Sequence, residues 1–129
     1  MRLFFNGVEI SQANILSCDW ADGGVVSTLG DLLKFQQAFW QFKIVSQGYV
    51  DQMKQIHSQY HAGIHYGMGM IEFRFNEFFF TLPKQPRPLG HSGILGTGMF
   101  YDPIHDLHII INLGSNKLIP KSIRAHHCY

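Results

Sequence analysis

Apolar and polar positions change their spacing several times along this chain, and each change marks an element. From Gly30 to Phe42, Leu32, Phe35, Phe39 and Phe42 recur at helical spacing, while Leu29, Leu33 and Trp40 widen the apolar face. Ser27 or Thr28 supplies the N-cap, because a hydroxyl there accepts from a first-turn N–H that has no helical partner. Asp31 suits the positive end of the helix. Ser46 opens a second helical pattern through Val50, Met53 and Ile56, and the short connection predicts an antiparallel helix pair.

The period then shortens. Between Tyr66 and Phe75, Ile71, Phe73 and Phe75 share one face while Glu72 and Arg74 take the other, which predicts a strand. Asn76-Glu77 reads as its hairpin turn and Phe78 to Leu82 as its returning partner. Pro83, Pro86 and Pro88 exclude regular structure up to Leu89. Further on, Thr97 to Tyr101 pairs through the turn at Asp102-Pro103 with Leu107 to Leu113. Ile109, Ile110 and Ile111 make that last strand apolar on both faces, so it reads as central and covered on each side. Lys117 to Tyr129 is expected to form a closing helix with Pro120 near its first turn. Asn6-Gly7 and Asp22-Gly23-Gly24 mark turns before the first helix. Together these elements predict an α+β chain, an antiparallel sheet packed with helices.

Composition narrows the class. Hydrophobic residues make up 46% and charged ones 15%, which excludes a disordered chain, and 129 residues suffice for a single domain or a fragment of one. Eleven phenylalanines imply bulky core layers. A net charge of +1 gives no electrostatic footprint for nucleic acid, and no apolar run approaches the ~20 residues that span a bilayer. Met1 to Phe5 is too short for a secretory apolar region before Asn6-Gly7 interrupts it, which leaves the compartment open. Cys18 and Cys128 are either free thiols or a pair that only the fold can bring together.

Chemistry is concentrated between Leu89 and Tyr101. Gly90, Gly93, Gly96 and Gly98 are too dense for a packed strand interior, and glycine suits places where something must approach the backbone. His91 and Ser92 put donors and acceptors beside that bare backbone. A strand edge open at Gly93 would cradle a carbonyl or a carboxylate; the alternative is a turn or bulge with an incidental histidine. His57, His61 and His65 stand four residues apart, a spacing that suggests zinc on a helix. Gly63 interrupts that helix and no cysteine or carboxylate lies among them, so neither a metal nor a cofactor is expected. His105 with His108 and the pair His126-His127 are read the same way. Lys84 and Arg87 lie in the proline loop, either a solvated connector or the rim of a cleft.

The order of these features resembles a known family. Gly23-Gly24 with Ser27-Thr28 and Asp31-Leu32 is followed by Tyr66-Gly67-Met68-Gly69, Gly90-His91-Ser92-Gly93, Tyr101-Asp102-Pro103 and Ile109 to Leu113. From about Ser17 onward this succession resembles the C-terminal part of the serine β-lactamase and DD-peptidase superfamily, especially its class C and esterase-like branch. The resemblance implies the C-terminal portion of the β-lactamase/transpeptidase-like fold, in which His-x-Gly takes the place of Lys-Thr-Gly. It further implies that His91 binds substrate or steers protons, that Ser92 offers a hydroxyl, and that Gly93 lets an acyl group lie along the strand. The Ile94 N–H would then be one oxyanion donor.

The chain departs from that family in one decisive respect. No serine has a lysine three positions later, and no Tyr-x-Asn or Tyr-x-Ser occurs. An activated nucleophile is therefore missing, and this chain alone is not expected to turn over an acyl substrate. Two functions follow: part of a serine hydrolase acting on an ester, lactam or amide carbonyl, or a non-catalytic binding or assembly module of the same fold. In the family an N-terminal strand lies beside the last one. Without it the strand offers unpaired backbone, which predicts self-association. A histidine-based metal protein is the third and weakest reading.

Overall fold

The computed structural model describes residues 2–14, 23–78 and 86–118. Two short strands, β1 (Phe4–Phe5) and β2 (Val8–Glu9), form a hairpin turned by Asn6 and Gly7, both at positive φ. Helices α1 (Leu29–Trp40) and α2 (Gln47–Met53) follow. Next come β3 (Ser58–His61), β4 (Ile64–Tyr66), β5 (Ile71–Phe73), a single helical turn α3 (Phe75–Phe78), β6 (Leu89–Gly93), β7 (Thr97–Asp102) and β8 (Leu107–Asn112). The last six strands make one antiparallel sheet in chain order, β3-β4-β5-β6-β7-β8. The fold is α+β, as the alternation of periods predicts.

Register places the core on one face of that sheet. Ile71 lies opposite Gly90, Gly90 opposite Phe100 and Phe100 opposite Ile109, while Phe73 lies opposite Ile64. Ile71, Phe73, Phe75, Phe100 and Ile109 form the buried cluster and Ile64 packs against it, with Phe73 and Phe100 almost fully enclosed and their rings 4.9 Å apart. Helix α1 packs on β8 from the Tyr101 side, where Trp40 stacks on Tyr101 at 4.6 Å and Tyr101 leans on His108 at 4.8 Å.

The start of α1 follows its local chemistry. Thr28 is the N-cap, its Oγ1 accepting from the Asp31 N–H at 3.1 Å, and its hydroxyl donates to the Asp31 carboxylate at 2.9 Å. The buried face of α1 matches the predicted stripe only in part, at the half-buried Leu32, Phe39 and Trp40. Gln36 is the buried residue, whereas Phe35 is 52% exposed, and Leu29, Leu33 and Phe42 also face outward. With apolar residues nearly all round the helix, hydrophobicity alone does not choose the side that meets the sheet. The Trp40–Tyr101 stack does. Among the described residues the Gln36 Oε1 has no hydrogen-bond partner, a situation that typically costs about 1–3 kcal/mol. Gln36→Met, similar in volume, is therefore expected to raise stability by roughly 1 kcal/mol in urea unfolding; a drop would mean that the amide has a partner after all.

Three further expectations are corrected. Helix α1 packs chiefly on β8 rather than pairing with α2. The alternating stretch Tyr66 to Phe75 is two strands, because Gly67 to Met70 reverse the chain, the Gly67 N–H donating to the Met70 carbonyl at 2.8 Å. Asn76 and Glu77 lie in α3 and not in a hairpin turn. The reason is long-range, because the Glu77 carboxylate is drawn back over β4 to accept from His65 Nε2 (2.8 Å) and the Gly63 N–H (2.9 Å). The returning strand after Phe78, both cysteines and most of the closing helix lie outside the described residues.

The β7–β8 hairpin forms as predicted. Among the described residues, however, β8 is the outermost strand of the sheet rather than a central one. Just past its end the Phe4 N–H donates to the Gly114 carbonyl at 2.8 Å in a parallel bridge.

Candidate functional site

The distinctive geometry lies halfway along β6. On one side β6 pairs with β7 over its whole length, from Leu89 opposite Tyr101 to Gly93 opposite Thr97. On the other side, pairing with β5 stops at Ile71 opposite Gly90. From His91 to Gly93 that second edge has no neighbouring strand among the described residues. Its peptide groups are thus placed to bind an extended or carbonyl-bearing ligand instead of another strand.

A cleft of about 490 Å³ opens between this end of the sheet and the approach to α1. His91, Ser92 and Gly93 line it together with Thr97, Gly98 and Met99 of β7 and Ile110, Ile111 and Asn112 of β8. Gly23, Val25, Ser27, Leu29 and Leu32 form the opposite wall. Among the described residues the walls are mostly apolar and carry no carboxylate, ammonium or guanidinium. Ser27, Ser92, Thr97, Asn112 and His91 are the polar side chains, and His91 is the titratable one. Apolar walls with a few converging polar groups are typical of small-molecule sites.

Three of the four residues expected from sequence, His91, Ser92 and Gly93, therefore share one cleft. The fourth, Ile94, begins the turn after β6 with its side chain 65% exposed and lies outside the lining. His91 is exposed, and its Nδ1 lies 2.9 Å from the Ser92 carbonyl oxygen. That oxygen can only accept, so Nδ1 carries a proton, and in the tautomer this bond selects Nε2 is the acceptor. Among the described residues no hydroxyl or thiol is hydrogen-bonded to His91. The site can thus orient a carbonyl and exchange a proton, but among the described residues it holds no activated nucleophile.

Gly93 makes room for its cross-strand neighbour. A Cβ at this position would run into the Thr97 hydroxyl. Two aromatic neighbours flank the site: Tyr66, which stands in the Tyr-Gly-x-Gly stretch of the resemblance without a role assigned to it, and Tyr60, which no motif marks. Tyr66 lies edge-to-face against His91 at 6.1 Å, and Tyr60 lies against Tyr66 at 5.9 Å. Their proximity depends on where β5 ends and on a break in the β3–β4 register, and neither has a local signature.

The other histidines serve different ends. His61 and His65 lie on two neighbouring strands rather than along one helix. Among the described residues no group of three or more histidines, cysteines or carboxylates is arranged around a metal position; His126 and His127 lie outside them. His105 Nδ1 pairs with the buried Asp102 carboxylate, whose other oxygen accepts from the Ile104 N–H at 2.9 Å and so fixes the β7–β8 turn.

His65 is buried and its Nε2–H donates to Glu77, whose carboxyl is held below its usual range first by that bond and then by the Gly63 N–H. A carboxyl with a lowered pKa contributes stability that is complete above the ordinary glutamate value and lost as pH falls through the lower folded value. Glu77→Gln is accordingly expected to flatten the acid side of the stability curve below about pH 5. Urea midpoints measured from about pH 6 to 3 check this; parallel acid limbs in the two proteins would rule it out.

No protein-family model matches this chain, and no curated protein or solved structure does either. Among the described residues no helix is long and apolar enough to cross a membrane.

Proposed function

We propose that this chain supplies one wall of the acyl-binding cleft of a serine hydrolase similar to the β-lactamase and DD-peptidase superfamily, class C and esterase-like branch, acting on an ester, lactam or amide carbonyl. The observation that carries this reading is the half-open strand at His91–Gly93, which lines the cleft with a histidine acceptor, a hydroxyl and a bare glycine. In this mechanism the reactive serine belongs to polypeptide outside these residues, in a Ser-x-x-Lys. The substrate carbonyl lies along the free edge of β6, and the resemblance makes the Ile94 N–H, just past the cleft lining, the donor to its oxygen as negative charge develops there. Loss of one such donor typically costs about 2.7–4 kcal/mol of transition-state stabilisation. His91 Nε2 accepts or relays a proton, and Ser92 hydrogen-bonds the substrate's carbonyl or carboxylate.

The apolar residues left exposed on α1 and before it, with Val26 97% and Phe35 52% exposed, favour a further layer packing there. The upstream reading frame, joined to this chain and labelled with a fluorophosphonate, tests the proposal. The adduct is expected on the serine of a Ser-x-x-Lys, and His91→Ala is expected to slow labelling at least tenfold with little change in melting temperature. Absence of that motif upstream, or labelling indifferent to His91, overturns the assignment.

A second reading, an assembly module, is favoured by β8. Its sequence Leu-His-Ile-Ile-Ile-Asn has no charge and no proline, the devices that normally protect an outer strand from pairing with another chain. Self-association is expected to appear in sedimentation as a concentration-dependent rise in mass, and to be suppressed by Ile110→Lys. A strict monomer at high concentration rules it out.

A further inference from the structure

Tyr60, Tyr66 and His91 form a row of rings running away from the open edge of β6. Tyr66 stands 6.1 Å from His91 at an interplanar angle of 73°, and Tyr60 stands 5.9 Å from Tyr66 at 72°. The row is built by an irregularity. Strands β3 and β4 pair Gln59 with His65 and His61 with Ile64, so Tyr60 is the extra residue of a bulge. A bulge re-aims a side chain, and bulges recur beside functional sites. Here it leaves Tyr60 77% exposed while its ring lies against Tyr66. Tyr66 in turn is packed against the sheet core, which gives the row a fixed base.

We infer that this row is an aryl subsite: it takes the aromatic substituent of a ligand whose carbonyl or carboxyl group lies at His91–Gly93. This rests on the acyl-binding reading of that strand and adds the class of substrate. Aromatic rings favour edge-to-face and offset contacts with one another. The row presents such contacts on its exposed side, at Tyr60 above all. Saturated groups find their surface elsewhere, on the cleft walls at Leu29, Leu32, Met99 and Ile110. The acyl end and the aryl end of one small ligand are thereby separated by His91, which touches both.

Titration of the whole chain with acetate, phenylacetate and cyclohexylacetate, followed by NMR, tests the inference. All three are expected to shift the amides of His91, Ser92 and Gly93. Phenylacetate alone is expected to shift the rings of Tyr60 and Tyr66, and to bind about tenfold more tightly than cyclohexylacetate. Tyr60→Ala should abolish that preference and Tyr60→Phe should keep it. Equal affinity for the phenyl and cyclohexyl acids, or a preference indifferent to Tyr60→Ala, overturns the aryl subsite while shifts at His91 leave the acyl site standing. If none of the three acids moves residues 91–93, the acyl-binding reading fails and the subsite falls with it.

Discussion

Phe100→Ala is expected to destabilise the fold by about 3–5 kcal/mol, the usual cost of emptying a fully enclosed phenylalanine site. Phe100 has no exposed surface; on β7 it faces Gly90 across one ladder and Ile109 across the other, and its ring lies against Phe73. Neighbours held in three separate strands cannot collapse inward without breaking pairing, so the cavity stays. Whole-domain stabilities run to roughly 5–15 kcal/mol, so this one truncation removes a large fraction. Urea unfolding of the variant checks the figure. A loss below about 1 kcal/mol would mean that the sheet face repacks freely.

Gly90→Ala is the second large effect, and it acts on the site. Gly90 is not in the left-handed region, so the cost is one of space. A Cβ there would stand 2.7 Å from Phe100 Cα and closer still to the Met99 carbonyl oxygen. Both obstacles are backbone of β7, so strands β6 and β7 must separate. Overpacking typically costs about 1–3 kcal/mol, and the upper end is expected here. Because His91 follows directly, faster amide exchange is expected at His91 and Ser92 together with a lower unfolding midpoint. The control is Gly93→Ala, whose Cβ meets a Thr97 hydroxyl that can rotate away. It is expected to leave stability nearly unchanged while filling part of the cleft. Equal midpoints for Gly90→Ala and the parent chain would refute the close approach.

What was legible in the sequence was local. The Thr28 cap and the β7–β8 hairpin follow from residues within a turn of one another, and both form. Strand β6 was legible from its position between the prolines and the next strand. An edge open at Gly93 was legible from the glycines, but its extent back to His91 was not, because that depends on where β5 stops pairing. Gln36 took the buried side of α1 because a distant stack, Trp40 on Tyr101, set the rotation of a helix with apolar residues on several sides. Glu77 was misplaced for a similar reason: its partners His65 and Gly63 are twelve and fourteen residues away. His91, Ser92 and Gly93 stand where glycine density suggested backbone approach, and they line one cleft; Tyr66 stood in the Tyr-Gly-x-Gly motif without a role, and Tyr60 carried no mark.

The outward-facing Leu29, Leu33, Phe35 and Phe42 of the first helical segment have a practical consequence at the bench. A dye that brightens on greasy surfaces will glow with the native protein, although its interior around Phe73 and Phe100 is tightly filled. In this molecule such fluorescence reports an uncovered helix flank rather than a loosened core, and near-ultraviolet dichroism of the stacked Trp40 and Tyr101 is the better gauge of order.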